Sequence, residues 1–288
     1  MHKPPTKVFA LSSTVLVRSI ASQSSIVGFT ILALFLFSGT AKAQVGPTAA
    51  QVQAAIDRCV SFLLGSQRND GGWPEVPGYP KGVSCLVVLA LLNAGLEPDS
   101  PAVSRGLSYI SSDRLEKTYS VSLQTMALCA ANPNRYASQI QQNTQWLMET
   151  QARDGGWGYG DRSSSYSDPS NSQFALLAMH EAQRVGVDVP AAEIKNCFDR
   201  SREYWQKQQN RDGSFQYLQS SSSGSMTSAG AASLMIVGTQ ADQLQASAGQ
   251  NISCCGDLDQ NQQRIEMGLT WLGRNFSATG NPRGSDFH

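Results

Sequence analysis

A few acidic side chains have the type and spacing that acid–base chemistry requires. Asp257 and Asp259 stand close together, and Asp161 and Asp168 lie in a segment rich in Ser and Tyr. A proton donor must be a carboxylic acid that is desolvated enough to stay protonated, whereas paired carboxylates at an open groove are typical of carbohydrate chemistry. Since Asp257 and Asp259 fall in a polar insertion, the sequence favours a solvated acidic loop there.

The sequence contains weaker signals for a metal site or a catalytic nucleophile. Beyond the first 43 residues the histidines are His180 and His288, and neither has a Cys or Asp at zinc-ligand spacing. No phosphate-binding Gly-x-x-x-x-Gly-Lys segment and no Ser-His-Asp set is recognisable. The sequence therefore predicts no metal site and no cofactor.

The first 43 residues have the layout of a secretory signal. They carry four basic and no acidic residues, a 12-residue apolar run from Ile26 to Phe37, and a small-x-small site that ends at Ala43. The run is shorter than the about 20 residues that span a bilayer. We therefore expect a signal peptide over residues 1–43 and export to the periplasm or the exterior; the alternative is an uncleaved anchor, the one case in which a membrane would be a partner.

The remaining 245 residues suffice for one large domain over residues 44–288. They hold 18 Lys and Arg against 22 Asp and Glu, a mild acidity that gives no electrostatic footprint for nucleic acid. Cys59, Cys85 and Cys129 sit in apolar helical runs, where we expect buried thiols. Cys254 and Cys255, in a polar insertion, are the better candidates for pairing or oxidation.

One local pattern recurs three times and indicates a repeat architecture. It reads Gln-x-x-Asp-Gly, then a small residue, then Trp or Phe, with an aromatic residue five positions before each Gln. Because a catalytic acid is needed once, three Asp residues in equivalent turns indicate turn chemistry, and we expect no catalytic role for them. The members are Gln67, Asp70, Gly71, Gly72 and Trp73, then Gln151, Asp154, Gly155, Gly156 and Trp157, then Gln209, Asp212, Gly213, Ser214 and Phe215.

Amphipathic helical segments, which have one polar face, alternate with segments that are apolar on nearly every face. The amphipathic segments are residues 52–64, 137–150 and 191–208, and the apolar ones are 83–92, 174–179 and 228–237. A further pair covers 102–110 and 119–131, and a fifth outer helix covers 263–272. We therefore predict an all-α fold, an α/α toroid with an inner ring of apolar helices buried all round. Each Gly turn would reverse the chain, and its aromatic residue would wedge between hairpins.

The sequence reaches His288 before the inner helix that would follow the fifth outer one. A row lacking that helix would leave an apolar seam exposed. We therefore expect either a toroid truncated before its last inner helix or a partner that closes the seam.

These repeats resemble the prenyltransferase/squalene-oxidase repeat, also called the QW motif, of the α/α-toroid superfamily. That superfamily includes squalene–hopene and oxidosqualene cyclases, the β-subunits of protein prenyltransferases and the thioester domains of complement-like proteins. The resemblance covers about residues 50–288 and implies the fold, whereas activities differ among its members. The segment from Trp271 to Gly284 also looks like exported bacterial repeat proteins of the superfamily whose function is unassigned.

The catalytic signatures that the resemblance implies are incomplete. A terpene cyclase of this superfamily protonates an alkene with an Asp from an Asp-x-Asp-Asp motif, and the nearest match, residues 257–260, lacks the last Asp. A prenyltransferase would bind zinc through Asp, Cys and His, and no such set stands out. The thioester motif Cys-Gly-Glu-Gln is matched only in its first half, at Cys255 and Gly256. The sequence thus predicts no catalytic residue.

Aromatic residues in the loops could form the rim of the barrel mouth, where they would suit an apolar or isoprenoid ligand or a carbohydrate, or they could simply pack the loops. These candidates are Tyr79, Tyr119, Tyr159, Tyr166 and Tyr217. Our leading hypothesis is an exported binding or interaction scaffold, non-catalytic or without an assigned reaction, whose partner is an unknown apolar ligand or a protein. The alternatives are a terpenoid cyclase-like or prenyltransferase-like enzyme acting on an isoprenoid, and a polysaccharide-active toroid.

Overall fold

The computed structural model describes residues 46–160, 166–217, 221–247 and 257–284. Within these ranges the chain forms nine helices, all in the compact unit that begins at Ala49. They are α1 (Ala49–Gly65), α2 (Gly82–Asn93), α3 (Pro101–Ile110), α4 (Thr118–Ala131), α5 (Ala137–Thr150), α6 (Pro169–Arg184), α7 (Ala191–Gln208), α8 (Gly224–Ser247) and α9 (Asp257–Asn275).

The helices form two layers, as the alternation of the sequence predicts. Helices α2, α4, α6 and α8 contact one another in that order and make the inner layer. On the outside, α3 packs on α2, α5 on both α4 and α6, and α7 and α9 on α8. The α4 helix, in the middle of the row, is buried at every position from Ser120 to Cys129, whereas α7 buries one stripe at helical spacing. The predicted α/α toroid fold is confirmed.

The first hairpin departs from the expectation of full burial. Leu86 of α2 is 50% exposed, so the prediction that this inner helix is buried all round is wrong. The amphipathic α1 has no buried residue, and Cys59 is an exposed thiol, not a buried one as predicted; Cys85 and Cys129 are buried. The physical reason is position: α4 is covered on both sides by α2 and α6, whereas α1 and α2 come first among the described helices.

The Gln of each repeated turn joins its own turn to the next outer helix. In every copy the side-chain Nε2 donates to the carbonyl of the Gly four residues later and to a second carbonyl on that helix. The second bonds run from Gln67 to Ala102 of α3 (2.8 Å), from Gln151 to Cys197 of α7 (2.9 Å) and from Gln209 to Arg264 of α9 (2.7 Å). In all three copies, the side-chain amide of the Gln therefore closes its own turn and also binds the next outer helix.

The glycine and the aromatic residue of each turn complete the contact. Gly71, Gly155 and Gly213 have φ of 90°, 93° and 89°, and a Cβ on any of them would collide with the backbone of the next outer helix. The aromatic residue that follows is at most 1% exposed in all three copies. Its backbone N–H donates to a hydroxyl at the head of the next inner helix: Trp73 to Ser84, Trp157 to Ser172, and Phe215 to Thr227. The wedge predicted from the sequence is what ties the hairpins together.

Two further segments concern the sequence predictions. The backbone is already helical from Asp257, so the acidic loop expected at Asp257 and Asp259 is wrong, and both residues open α9. None of the helices in the described part of the chain is long and apolar enough to cross a membrane. The predicted signal segment, Asp161, Cys254, Cys255 and His288 lie outside the described residues.

Candidate functional site

Aromatic side chains gather where the inner helices begin. Tyr79 precedes α2, Tyr119 is the second residue of α4, Tyr159 lies in the loop that leads to α6, and Phe174 belongs to α6. The ring centroids of Tyr79, Tyr119 and Tyr159 stand 6.2–6.4 Å from one another, and that of Phe174 stands 4.8 Å from Tyr119. We call these four residues the aromatic cluster. Tyr159 is 43% exposed and the other three are half-buried, so the cluster opens to the surface.

The loop after α5 brings Tyr159 to this place by bonding to the head of α4. Thr118 donates its backbone N–H to the carbonyl of Tyr159 over 3.3 Å and its hydroxyl to the carbonyl of Gly158 over 2.6 Å. The hydroxyl and amide of one buried residue therefore hold the loop of the next hairpin against the inner layer.

A buried carboxyl group, that of Asp168, lies under the cluster and is 5% exposed. Its Oδ1 accepts the backbone N–H of Asn171 over 2.9 Å, the Nδ2 of Asn171 over 3.1 Å, and the hydroxyl of Ser170. Its Oδ2 accepts the hydroxyls of Tyr217 over 2.6 Å and Tyr159 over 3.3 Å. Five donors thus converge on the two oxygens.

The local sequence explains why the carboxyl group lies there. Asp168 is the residue before α6, its side chain accepts the N–H of the third helical residue, and Pro169 occupies the first helical position. The N-terminal end of a helix also favours a negative charge. Asp168 therefore caps α6 and at the same time anchors two tyrosines, Tyr159 from its own loop and Tyr217 from the loop after α7.

The surroundings keep Asp168 ionised. Burial alone would raise its pKa, but hydrogen bonds from Ser170, Tyr217 and Asn171 to the charged form outweigh burial and leave the pKa below its ordinary value. The tyrosines shift in the opposite direction. Burial raises the pKa of Tyr119 to about 12, and burial together with the bond to Asp168 raises the pKa of Tyr217. The hydroxyl of Tyr217 therefore keeps its proton and donates to the carboxylate of Asp168.

The structure brings four of the five predicted rim residues into one place. Tyr79, Tyr119 and Tyr159 share ring contacts, and Tyr217 joins Tyr159 on Asp168. The fifth, Tyr166, is 83% exposed. Sequence reasoning named Asp168 only as a partner for Asp161 and missed Ser170, Asn171 and Phe174. An Asp followed by Pro before an apolar run is a helix-start signal that could have identified the cap.

The repeated acidic residues stay in their turns. Asp70, Asp154 and Asp212 each accept the backbone N–H two residues on, over 3.0–3.1 Å. Hydrogen bonds from Arg68 and from Ser214 lower the pKa of Asp70 and Asp212, respectively. Their geometry is that of turn-forming side chains.

Among the described residues, the buried thiols and the His, Asp and Glu side chains form no second candidate site. Burial raises the pKa of Cys129 and Cys197 to about 12 and raises that of Cys85 as well, so these thiols stay protonated at neutral pH. Within the described ranges no three His, Cys, Asp or Glu residues stand together as a metal site would require. An open groove of about 450 Å³ lies elsewhere, between the head of α8 and the end of α9.

A family model for the squalene-hopene cyclase C-terminal domain matches residues 84–227, which is half of the chain. The matched stretch runs from α2 into α8 and contains Tyr119, Tyr159, Asp168 and Tyr217. No curated protein matches the chain.

Proposed function

The chain belongs to the squalene-hopene cyclase C-terminal domain family, and from this premise we propose that it is an exported scaffold that binds an apolar ligand without transforming it. The resemblance to QW-repeat proteins is confirmed by the family match. What supports a binding role is one observation: the carboxyl group beneath the aromatic cluster accepts five hydrogen bonds and is held as a carboxylate.

The state of Asp168 argues against alkene protonation. A residue that protonates an alkene must hold its proton at neutral pH, and desolvation without donors achieves this by raising the pKa. Asp168 has the opposite environment, with a lowered pKa. Residues 168–171 also keep only the first acid of the Asp-x-Asp-Asp spacing, since Ser170 and Asn171 stand at its other two acidic positions. Both side chains donate to Asp168 and supply no acid.

The aromatic cluster offers ring surface to a ligand. The hydroxyls of Tyr159 and Tyr217 already donate to Asp168, so the polar end of each ring is engaged inside the protein. What remains open is the apolar body of the rings, above all that of Tyr159. Apolar ring surface buries hydrocarbon well and recognises few polar groups. An isoprenoid chain is the ligand class that this surface suits.

Export is part of the proposal and rests on the N-terminal residues. A basic start, the apolar run from Ile26 to Phe37 and a small-x-small site before Gln44 are typical of a secretory signal. An exported binding protein would meet its ligand outside the cytoplasm. Sequencing the N-terminus of the secreted chain tests this point, since export with cleavage predicts a start at Gln44.

Binding is tested with farnesol, an isoprenoid alcohol, by titration calorimetry on the wild type and three variants. Tyr159→Phe keeps the ring and removes the hydroxyl, Tyr159→Ala removes both, and Tyr136→Ala is a control at a half-buried tyrosine outside the cluster. We expect the wild type, Tyr159→Phe and the control to bind, and Tyr159→Ala to lose binding at least tenfold. Equal loss in Tyr159→Phe, or binding of a soluble oligosaccharide in place of farnesol, would contradict an apolar site.

Catalysis is tested separately by incubating the protein with squalene in detergent and analysing the extract by gas chromatography and mass spectrometry. The proposal expects squalene to be recovered unchanged. A cyclised product that disappears in Asp168→Asn would overturn the non-catalytic assignment.

A further inference from the structure

The buried carboxylate of Asp168 has no cationic partner among the described residues. It is 5% exposed, and its donors are hydroxyl, side-chain amide and backbone N–H groups. None of the ion pairs in the described part of the chain involves it. The N-terminal end of α6 contributes about half a unit of positive charge, which stabilises the carboxylate without cancelling it. Since buried charges in proteins are ordinarily paired, the remaining negative charge beneath the aromatic cluster calls for a partner.

Two lysines stand close to the cluster in the sequence, but both are directed elsewhere. Lys81 donates to the carbonyl of Tyr109 over 2.7 Å and forms an ion pair with Asp113. Lys117 lines a separate groove together with Trp146. Neither lysine therefore neutralises Asp168.

The rings above this charge surround a point and do not form a stack. The ring planes of Tyr79 and Tyr119 meet at 83°, and those of Tyr79 and Tyr159 meet at 61°. The three centroids lie 6.2–6.4 Å apart. A cation above their triangle would therefore lie within about 6 Å of all three, the range over which aromatic rings attract a cation. Phe174 adds a fourth ring beside Tyr119.

The hydroxyl groups decide which kind of cation suits these rings. Those of Tyr159 and Tyr217 already donate to Asp168. A primary ammonium carries three N–H donors that need acceptors, and aromatic rings supply few. A quaternary ammonium carries only alkyl groups on its nitrogen, makes no such bonds and is recognised by aromatic rings. It is the cation that matches a ring surface over a buried carboxylate.

We propose that the site binds an apolar chain that ends in a quaternary ammonium group, with this head over the aromatic cluster and its charge above Asp168. The inference rests on the proposed function, because it names the head group of the same apolar ligand. It also excludes one class of isoprenoid. A phosphate head would bring a like charge to a carboxylate that has no cationic partner, which disfavours binding.

The experiment compares three ligands that share one chain and differ in the charge of the head. They are farnesyltrimethylammonium, farnesol and farnesyl phosphate, each titrated by calorimetry below its micelle concentration. We expect the ammonium to bind about tenfold more tightly than farnesol, and the phosphate about tenfold more weakly than farnesol. The readout is the ratio of the dissociation constants of farnesol and the ammonium, because the shared chain contributes equally to both.

Two variants separate the contributions of charge and ring to this ratio, with circular dichroism to check folding. Asp168→Asn removes the carboxylate, and we expect the ratio to fall at least threefold and the discrimination against the phosphate to weaken. Phe174→Leu replaces a ring by an alkyl group and leaves the charge of the protein unchanged, so a fall of the ratio there cannot come from general attraction to an acidic protein. The control is Tyr136→Leu, a half-buried ring outside the cluster, which should keep the wild-type ratio.

The outcomes separate this inference from the proposed function. Binding of farnesol with a ratio near one in the wild type would overturn the ammonium head and leave the apolar site intact. A phosphate that binds as tightly as farnesol, or a ratio that neither Asp168→Asn nor Phe174→Leu lowers, would do the same. If none of the three ligands binds, the proposed function fails together with the inference.

Discussion

The hydroxyl of Tyr217 donates to Oδ2 of Asp168 over 2.6 Å and thereby joins the loop after α7 to the head of α6. The two residues lie 49 positions apart in the chain. This bond is one of five that donate to the carboxyl group beneath the aromatic cluster. These donors favour the charged form of Asp168 and lower its pKa, and the bonds hold Tyr159 and Tyr217 in place.

Stability should depend on pH through Asp168. Because its folded pKa is depressed, its contribution is present above the unfolded pKa of about 3.9 and is lost as the pH falls through the folded value. We expect Asp168→Asn to lower the free energy of unfolding by about 2–3 kcal/mol at neutral pH. Urea unfolding at a series of pH values should show the gap to wild type shrinking below pH of about 4. A gap that stays constant on acidification would contradict this.

We expect replacement of Gly155 to lower the free energy of unfolding by more than its positive φ alone would predict. Gly155→Ala adds a Cβ that collides with the carbonyl of Arg200 in α7, whereas Gly186→Ala adds one in open space at a φ of 77°. Both variants carry the positive-φ penalty of about 1 kcal/mol. We expect Gly155→Ala to lose about 2 kcal/mol more, measured by urea unfolding. Equal losses would show that the turn does not press on α7.

We expect Gln151 to stabilise the fold by binding α7 as well as by closing its own turn. It is 6% exposed and bonds to the carbonyls of Gly155 and Cys197 and to Arg200. Gln151→Ala would leave buried polar groups without partners, so we expect a loss of about 2–4 kcal/mol in the free energy of unfolding. The matched control is Gln145→Ala, which removes an exposed bond to Glu149 and should change stability by at most about 0.5 kcal/mol. A loss no larger than the control's would refute a docking role.

The sequence predicts the helices well where local patterns decide. The ranges 137–150 and 191–208, taken from amphipathic spacing, coincide with α5 and α7. Helix α6 begins at Pro169, ahead of the apolar run at 174, because Asp168 caps it: its carboxyl group accepts the backbone N–H of Asn171, and its carbonyl accepts the hydroxyl of Ser172. Hydrophobic periodicity depends on the spacing of apolar residues, so it does not identify polar residues at the start of a helix.

Burial and the site depend on neighbours, which a single sequence does not show. Leu86 and Cys59 are residue types that are commonly buried, and both are exposed because their helices come first among the described helices. The bond from Tyr217 to Asp168 joins two hairpins, and the spacing of residues within either hairpin does not predict it. The positions of the rim tyrosines, in loops and at one helix start, can be seen in the sequence. The carboxylate of Asp168, which binds two of them, can be identified only from the fold.

The most direct test is a ¹³C NMR titration of the Asp168 carboxyl group, assigned by comparison with Asp168→Asn. Our account predicts a pKa below the ordinary value of about 3.9, and a rise in that pKa when Tyr217→Phe removes one donor. A pKa above about 5 in the wild type would contradict the account, since it would describe a carboxyl group poised to hold a proton and would return the protein to the catalytic members of its family.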